Sequence, residues 1–263
     1  MSSTNSSGFT HSTSDAYNRF IGRYSKDLSP MLTDQAGVTA GMTALDVGSG
    51  SGRLTGELVR RLGSESVTAC DPSPVFVADC QAQFPDVTVV TAYGESLPFD
   101  SNRFDVTLAQ LVFHFLTDAD QTAAEMRRVT KSGGCIGAST WDMSGGMELL
   151  RFFPEAASTI DPVNRPYVRP QKLGLPGEIV AVFERAGLVS IDEQLHTISV
   201  PYADFAEFWG TVEHATGAAG TFVEQSTPDE LARLHDALFE RVGSPPGPFA
   251  LSATALSITG RVP

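Results

Sequence analysis

The chain has 263 residues, 41% hydrophobic and 19% charged, enough apolar material for one large globular domain that closes without disulfide or metal staples. Lys and Arg total 18 against 31 Asp and Glu, a formal charge of −13 at pH 7 that repels polyanions and argues against nucleic acid or an acidic membrane surface as a partner. Cys70, Cys80 and Cys135 are odd in number and lack C-x-x-C spacing or a neighbouring His cluster, which fits reduced thiols in a cytoplasmic protein and gives no metal site.

In chain order, residues 1–14 are rich in Ser and Thr, with neither a basic start nor an apolar stretch, and read as a disordered leader rather than a signal peptide. No segment is long and apolar enough to cross a bilayer. Residues 15–35 read as a helix, with Tyr17, Phe20, Ile21, Tyr24 and Leu28 on one stripe and a break near Pro30. Ala44-Leu45-Asp46-Val47 is a short buried strand. It runs into Gly48-Ser49-Gly50-Ser51-Gly52, and a helix follows over residues 53–62, stopped by Gly63. Glycines at alternate positions permit positive φ and leave no Cβ between backbone and ligand, while the free N–H groups opening the next helix face the same cavity. Such a turn is built to bind. The dinucleotide fingerprint G-x-G-x-x-G is the nearest look-alike, but Arg53 stands where its third glycine belongs, which disfavours a nicotinamide or flavin enzyme.

Residues 67–70 form a second strand ending in Asp71-Pro72-Ser73-Pro74, with Asp71 placed 21 residues beyond Gly50. In a doubly wound sheet the second strand delivers its last residue to the same edge as the glycine turn, where a carboxylate can accept from two ribose hydroxyls. The alternative use of Asp71 is as a cap for a helix over residues 75–84, which Ser73 could also fill. A third strand, residues 87–91, leads to Tyr93-Gly94-Glu95. A fourth, residues 104–109, runs into Gln110-Leu111 and then Val112-Phe113-His114-Phe115. A helix over residues 118–129 ends at Lys131-Ser132-Gly133-Gly134, whose glycines read as a C-cap and a tight return into a fifth strand, residues 135–140.

Beyond Asp142 the alternation is interrupted by a segment holding Phe152, Phe153 and Pro154 and by a Pro-rich stretch at residues 162–176. A helix at residues 177–186, a strand at 189–201 and a last strand at 249–262 follow, with two helical stretches in 202–242 separated by the Gly-rich residues 216–220. Phe152, Phe153, Phe205, Phe208 and Trp209 sit at helical spacing and read as core more readily than as a pocket wall.

An acidic residue two places before G-x-G-x-G, an acid closing the second strand, and Glu125-Met126-Arg127-Arg128-Val129 running into Ser132-Gly133-Gly134 together resemble the class I S-adenosylmethionine (SAM) dependent methyltransferases, in particular their bacterial small-molecule type. The resemblance runs from about Tyr17 through Thr140. It implies a Rossmann-like, doubly wound, mostly parallel α/β sheet of seven strands with helices on both faces, a last antiparallel strand and helical lid insertions. The implied layout is a single domain over residues 15–263. It comprises an N-terminal helical flap at 15–40, a SAM-binding half at 44–140, and insertions at 141–176 and 202–247 that form an acceptor-side lid. Residues 16–25 are similar to the family's N-terminal segment, so Arg23 would pair with the methionine carboxylate and Tyr17 or Tyr24 would cover it. The resemblance also implies SAM contacts from Asp46, Gly48, Ser49, Gly50, Gly52, Asp71 and Pro72. The adenine side falls to Tyr93, Gly94 and Glu95, where Tyr93 replaces the usual Asp, and Gln110 with Leu111 closes the methionine side through the Gln110 carbonyl.

The function implied is methyl transfer from SAM to a small-molecule acceptor by in-line displacement, leaving S-adenosylhomocysteine (SAH), with positioning as the main catalytic device. No metal is expected. His114 is the catalytic candidate, a general base, against its plainer use as a packing residue among Leu111, Phe113 and Phe115; Asp142, His196 and His214 are further bases without distinguishing spacing. A SAM-binding sensor or partner subunit without catalysis would keep the same motifs. A nicotinamide-dependent oxidoreductase is the weaker alternative, against which Arg53 stands.

Overall fold

The computed structural model describes residues 22–161, 172–215 and 217–263. Seven strands, β1 (Ala44–Val47), β2 (Val67–Asp71), β3 (Thr88–Thr91), β4 (Phe104–Gln110), β5 (Thr130–Trp141), β6 (Val189–Tyr202) and β7 (Phe249–Arg261), form one sheet in the order β3-β2-β1-β4-β5-β7-β6. β1 pairs in parallel with β2 and β4, β2 with β3, and β4 with β5, whereas β7 runs antiparallel to β5. The strand order therefore reverses beside β1, and the crevice outside its carboxyl end is where such sheets take ligands.

Among the described residues the helices of eight or more residues are α1 (Leu28–Gln35), α2 (Arg53–Leu62), α3 (Pro74–Gln83), α4 (Ala119–Val129), α5 (Glu148–Ile160), α6 (Glu178–Arg185), α7 (Phe205–Glu213), α8 (Gly217–Gln225) and α9 (Pro228–Arg241). All four residues of β1 are buried, as expected of a strand covered on both faces. Alternate residues go to different cores. Leu45 and Val47 join Met126 and Val129 of α4 and Val182 and Phe183 of α6 on one face; Ala44 joins Leu32 of α1, Leu54 and Leu58 of α2 and Cys80 of α3 on the other. Asp46 shares the parity of Ala44 and so meets α2.

The described residues divide into two compact units, one of residues 25–144, 172–196 and 255–263 and the other of residues 22–24, 145–161, 197–215 and 217–254. The first holds β1 to β5, with α1 to α4 and α6. In the second, Tyr202 is the centre of an aromatic core. Its hydroxyl lies 2.7 Å from that of Tyr24, its ring stacks on Phe249 at 5.3 Å, and Phe208 meets it edge-on. Phe205 packs on Phe208 and Phe239, and Phe153 is fully enclosed. Phe153, Phe205 and Phe208 are thus core side chains, as their spacing suggests.

Three local expectations change, and one helix runs through a proline. The N-terminal helix is broken at Lys26 and Asp27, earlier than Pro30, because Pro30 lies in the first turn of α1, where a missing N–H removes no helical bond. Strand β5 begins at Thr130, so Gly133 and Gly134 do not cap α4. They belong to an irregular stretch of β5, where the Gly133 N–H donates to the Val262 carbonyl and a Cβ on Gly134 would sit 2.8 Å from the Asp105 and Lys131 carbonyls. Helix α5 continues through Pro154, since the buried stripe of Leu149, Phe153, Ala156 and Ala157 outweighs one lost backbone bond. Finally, three helices occupy residues 205–241 where two were expected. The Gly-rich stretch starts α8, and a Thr227–Glu230 capping box starts α9.

Candidate functional site

The carboxyl ends of β1, β2 and β4 converge on one set of loops. Leaving β1, the chain turns through Gly48 at φ 74°, Gly50 at 52° and Gly52 at 91°, all left-handed conformations that disfavour a side chain. The turn is tied to β2: the Gly48 and Ser49 N–H groups donate to the Cys70 carbonyl at 2.8 and 3.0 Å, and the Gly50 N–H donates to Asp71 Oδ2 at 2.9 Å. The glycines differ in what surrounds them. A Cβ on Gly52 would lie 2.8 Å from the Phe84 ring, and one on Gly48 2.5 Å from the Val112 side chain, but nothing stands within 4 Å of the Cβ direction of Gly50. Gly48 and Gly52 let the turn pack; Gly50 borders open space.

Asp71 is buried, and its other oxygen accepts from the Ser73 N–H at 2.9 Å, so one carboxylate joins the glycine turn to the start of α3. Burial raises its pKa, opposed by these two backbone donors. Asp46 is also buried. Its Oδ2 accepts from the Thr55 hydroxyl at 2.6 Å, while Oδ1 is enclosed without a hydrogen-bond partner among the described residues. Burial pushes its carboxyl up to about 7, the Thr55 hydroxyl pulls it down, and the negative charge of Asp71 adds to the rise.

On the β4 side, the Gln110 amide donates to the Ser25 carbonyl at 3.1 Å, whereas its Oε1 is enclosed and unpartnered among the described residues. Leu111 is a non-glycine residue at φ 59°, held by Ser139. His114 follows in a short helical turn. Its Nδ1 is 3.3 Å from Thr140 Oγ1, and its ring lies 3.9 Å from that of Phe115. Burial lowers its pKa to about 4, so the imidazole is neutral at physiological pH.

The loop after β3 is split in character. Tyr93 is 66% exposed, Gly94 is buried against Thr122, and the Glu95 carboxylate accepts from the Thr117 and Asp118 N–H groups ahead of α4. Glu95 thereby serves the helix start directly. Pro72 is exposed beside Asp71. Arg23, in the other unit, is engaged by Glu207 at 3.1 Å and the Pro201 carbonyl at 2.8 Å, with the Tyr202 ring beneath it; Tyr24 is buried in that core. Tyr17 lies outside the described residues. Asp142 accepts from the Ser144 N–H and hydroxyl, and His214 is exposed against the Gly210 carbonyl. His196, half-buried on β6, has its pKa lowered by burial.

A family model described as a methyltransferase domain matches residues 45–137, the stretch that carries the glycine turn, Asp71 and the end of β4. Over those residues the chain is similar to the methyltransferase-domain family. Among curated proteins, an uncharacterised protein of Mycobacterium bovis is 30% identical over 156 residues, 58% of this chain and 53% of that protein. A ubiquinone/menaquinone biosynthesis C-methyltransferase of Idiomarina loihiensis is 36% identical over 110 residues, 39% of this chain and 44% of that one. The chain spans about half the length of the curated relatives it matches. A solved structure of a type II methyltransferase candidate from Anaeromyxobacter dehalogenans superposes with a TM-score of 0.61 at 23% identity, covering 90% of this chain and 96% of that one, a likeness of fold.

The residues of this edge fit the chemistry of SAM, the cofactor of the matched domain family. A backbone without side chains at Gly50, two acids at adjacent strand ends and enclosed acceptors at Asp46 Oδ1 and Gln110 Oε1 suit a ligand with hydroxyls, an ammonium and a sulfonium. Among the described residues no group of three or more His, Cys, Asp or Glu is placed to hold a metal ion. Sequence reasoning missed Thr55, Val112 and Ser139. Only Thr55 left a local sign, a hydroxyl in the first turn of the helix that follows the Asp46 strand.

Proposed function

We propose that the chain transfers a methyl group from SAM to a small-molecule acceptor. The observation that carries this reading is the joint placement of the bare backbone at Gly50, the buried Asp71 that grips it, and the enclosed, unpartnered Gln110 Oε1 on the strand beyond. In this reading Asp71 accepts from the ribose hydroxyls, the Gly48–Gly52 turn lies along the methionine portion, and the Gln110 main-chain carbonyl receives the ammonium, with the side-chain Oε1 as a second acceptor nearby. Tyr93 and Gly94 flank the adenine, with Pro72 and Leu111 as apolar walls. When bound, SAM supplies a methyl group on a sulfonium leaving group, so the protein's task is alignment, worth several kcal/mol as an entropic advantage of the kind known for oriented intramolecular reactions. A cationic ligand beside it would draw Asp46 toward its ionised form, and the carboxylate then balances that charge from beneath the turn.

His114 presents a neutral imidazole. With Nδ1 at Thr140, Nε2 would be the nitrogen that meets an acceptor, and a pKa of about 4 suits it to accept a hydrogen bond and orient an O–H or N–H more than to remove a proton outright. The chain's charge of −13 supports a small, neutral or cationic acceptor over a polyanion.

Incubation with methyl-labelled SAM and fractionated small-metabolite extract, beside calorimetry with SAH, tests the reading. Saturable SAH binding with label appearing in a low-molecular-weight product is the expected result. Binding without transfer to any fraction would overturn the enzymatic reading, and absence of SAH binding would overturn the cofactor reading as well.

A further inference from the structure

Leu111 is the one described residue at the carboxyl end of β4 that sits in a conformation its side chain disfavours, at φ 59°. A buried, branched hydrophobic residue gains nothing from the left-handed region by itself, and backbone of this kind persists only where neighbours impose it. The neighbour is Ser139 on β5. The Leu111 N–H donates to the Ser139 carbonyl at 2.9 Å, extending the parallel pairing of Gln110 with Ser139 by one residue, and it is also 3.2 Å from the Ser139 hydroxyl. A three-centre bond of this form holds the N–H from two directions, where the strand ladder alone would hold it from one. The next residue, Thr140, meets His114 at the far end of the same loop. Val112, between these two anchors, packs where a Cβ on Gly48 would otherwise go, so the loop's conformation and the glycine turn's are fitted to each other.

We infer that Ser139 is a positioning residue for the cofactor: its hydroxyl holds Leu111 in the left-handed conformation, and that conformation aims the Gln110 carbonyl and seats Val112 against the glycine turn. The inference rests on the cofactor reading proposed above. Without the hydroxyl, the Leu111 backbone relaxes toward negative φ, the carbonyl of the preceding residue swings, and the crevice loses an acceptor and part of its wall. Ser139 itself is fully enclosed on β5 and touches no ligand in this account.

The test is a double-mutant cycle read by SAH calorimetry. Ser139→Ala is expected to weaken SAH about tenfold, the scale of one hydrogen bond to a properly aimed acceptor. Leu111→Gly removes the conformational conflict, because glycine adopts positive φ without a clash. In the Leu111→Gly background, Ser139→Ala is therefore expected to cost no more than about twofold, a rescue that a packing role for the hydroxyl would not produce. Far-UV circular dichroism and thermal melts establish that each variant is folded. An equal loss in both backgrounds, or no loss in either, with wild-type protein binding SAH normally, would overturn the role of Ser139 alone. Wild-type protein that binds no SAH would overturn the cofactor reading and this inference with it.

Discussion

Asp46 is buried and His114 half-buried at the carboxyl edge of the sheet, and removal from water moves them toward the uncharged form from opposite directions, to about 7 and about 4. For Asp46 the folded value lies above the unfolded one of about 3.9, so the native state holds the extra proton and stability falls as pH rises from about 4 to 7. For His114 the folded value lies below the unfolded one of about 6.5, so the unfolded state holds the extra proton and stability falls as pH drops from about 6.5 to 4. Across that window the two slopes oppose each other. Asp46→Asn should therefore leave a stability curve that rises with pH relative to wild type by about 1.4 kcal/mol per pH unit at most, and His114→Gln one that falls by a similar amount. Denaturant melts at half-unit steps from pH 4 to 8 would check this, and curves parallel to wild type would show that neither group titrates as its burial dictates.

Among the elements, the glycine turn separates packing from binding within three residues. Gly52→Ala must set a Cβ against Phe84 and Cys80 in a left-handed conformation, and should cost about 2–4 kcal/mol of stability by overpacking and strain together. Gly50→Ala meets no atom within 4 Å, so its stability cost should stay at the roughly 1–2 kcal/mol of the conformation alone, while the added methyl enters the crevice and weakens SAH binding at least tenfold. Melts and calorimetry on the two variants should rank them in opposite orders; a Gly50→Ala protein with full affinity would place the ligand elsewhere. This turn was legible in the sequence because its requirements are local: positive φ, no side chain, and an acid on the next parallel strand. The same holds for β1, β2 and β4, which read as short apolar runs between turn signals. Features decided by distant partners were not legible. Residues 131–134 join β5 because Val262 bonds to them, α5 survives Pro154 because its buried stripe holds it, and the grip of Ser139 on Leu111 spans 28 residues.

At the scale of the whole molecule, a charge of −13 bears on which form of the cofactor is held. SAM carries one positive charge more than SAH, on the sulfonium, and the two are otherwise nearly the same in shape. If the chain binds them as proposed, its field should favour the donor over the product, and the share of that preference carried by charges beyond the loops is open to screening, with a Debye length near 8 Å at physiological salt and about 3 Å at 1 M. Asp46 and Asp71 are too deeply buried for salt to reach, so under the proposed reading of the site their contribution should persist. Raising ionic strength from about 20 mM to 500 mM should thus weaken SAM by a factor of roughly two to five and leave SAH within a factor of about 1.5, measured by paired calorimetric titrations. A common salt dependence for the two ligands would mean that the surface charge plays no part in telling donor from product, and that discrimination rests on the buried carboxylates alone.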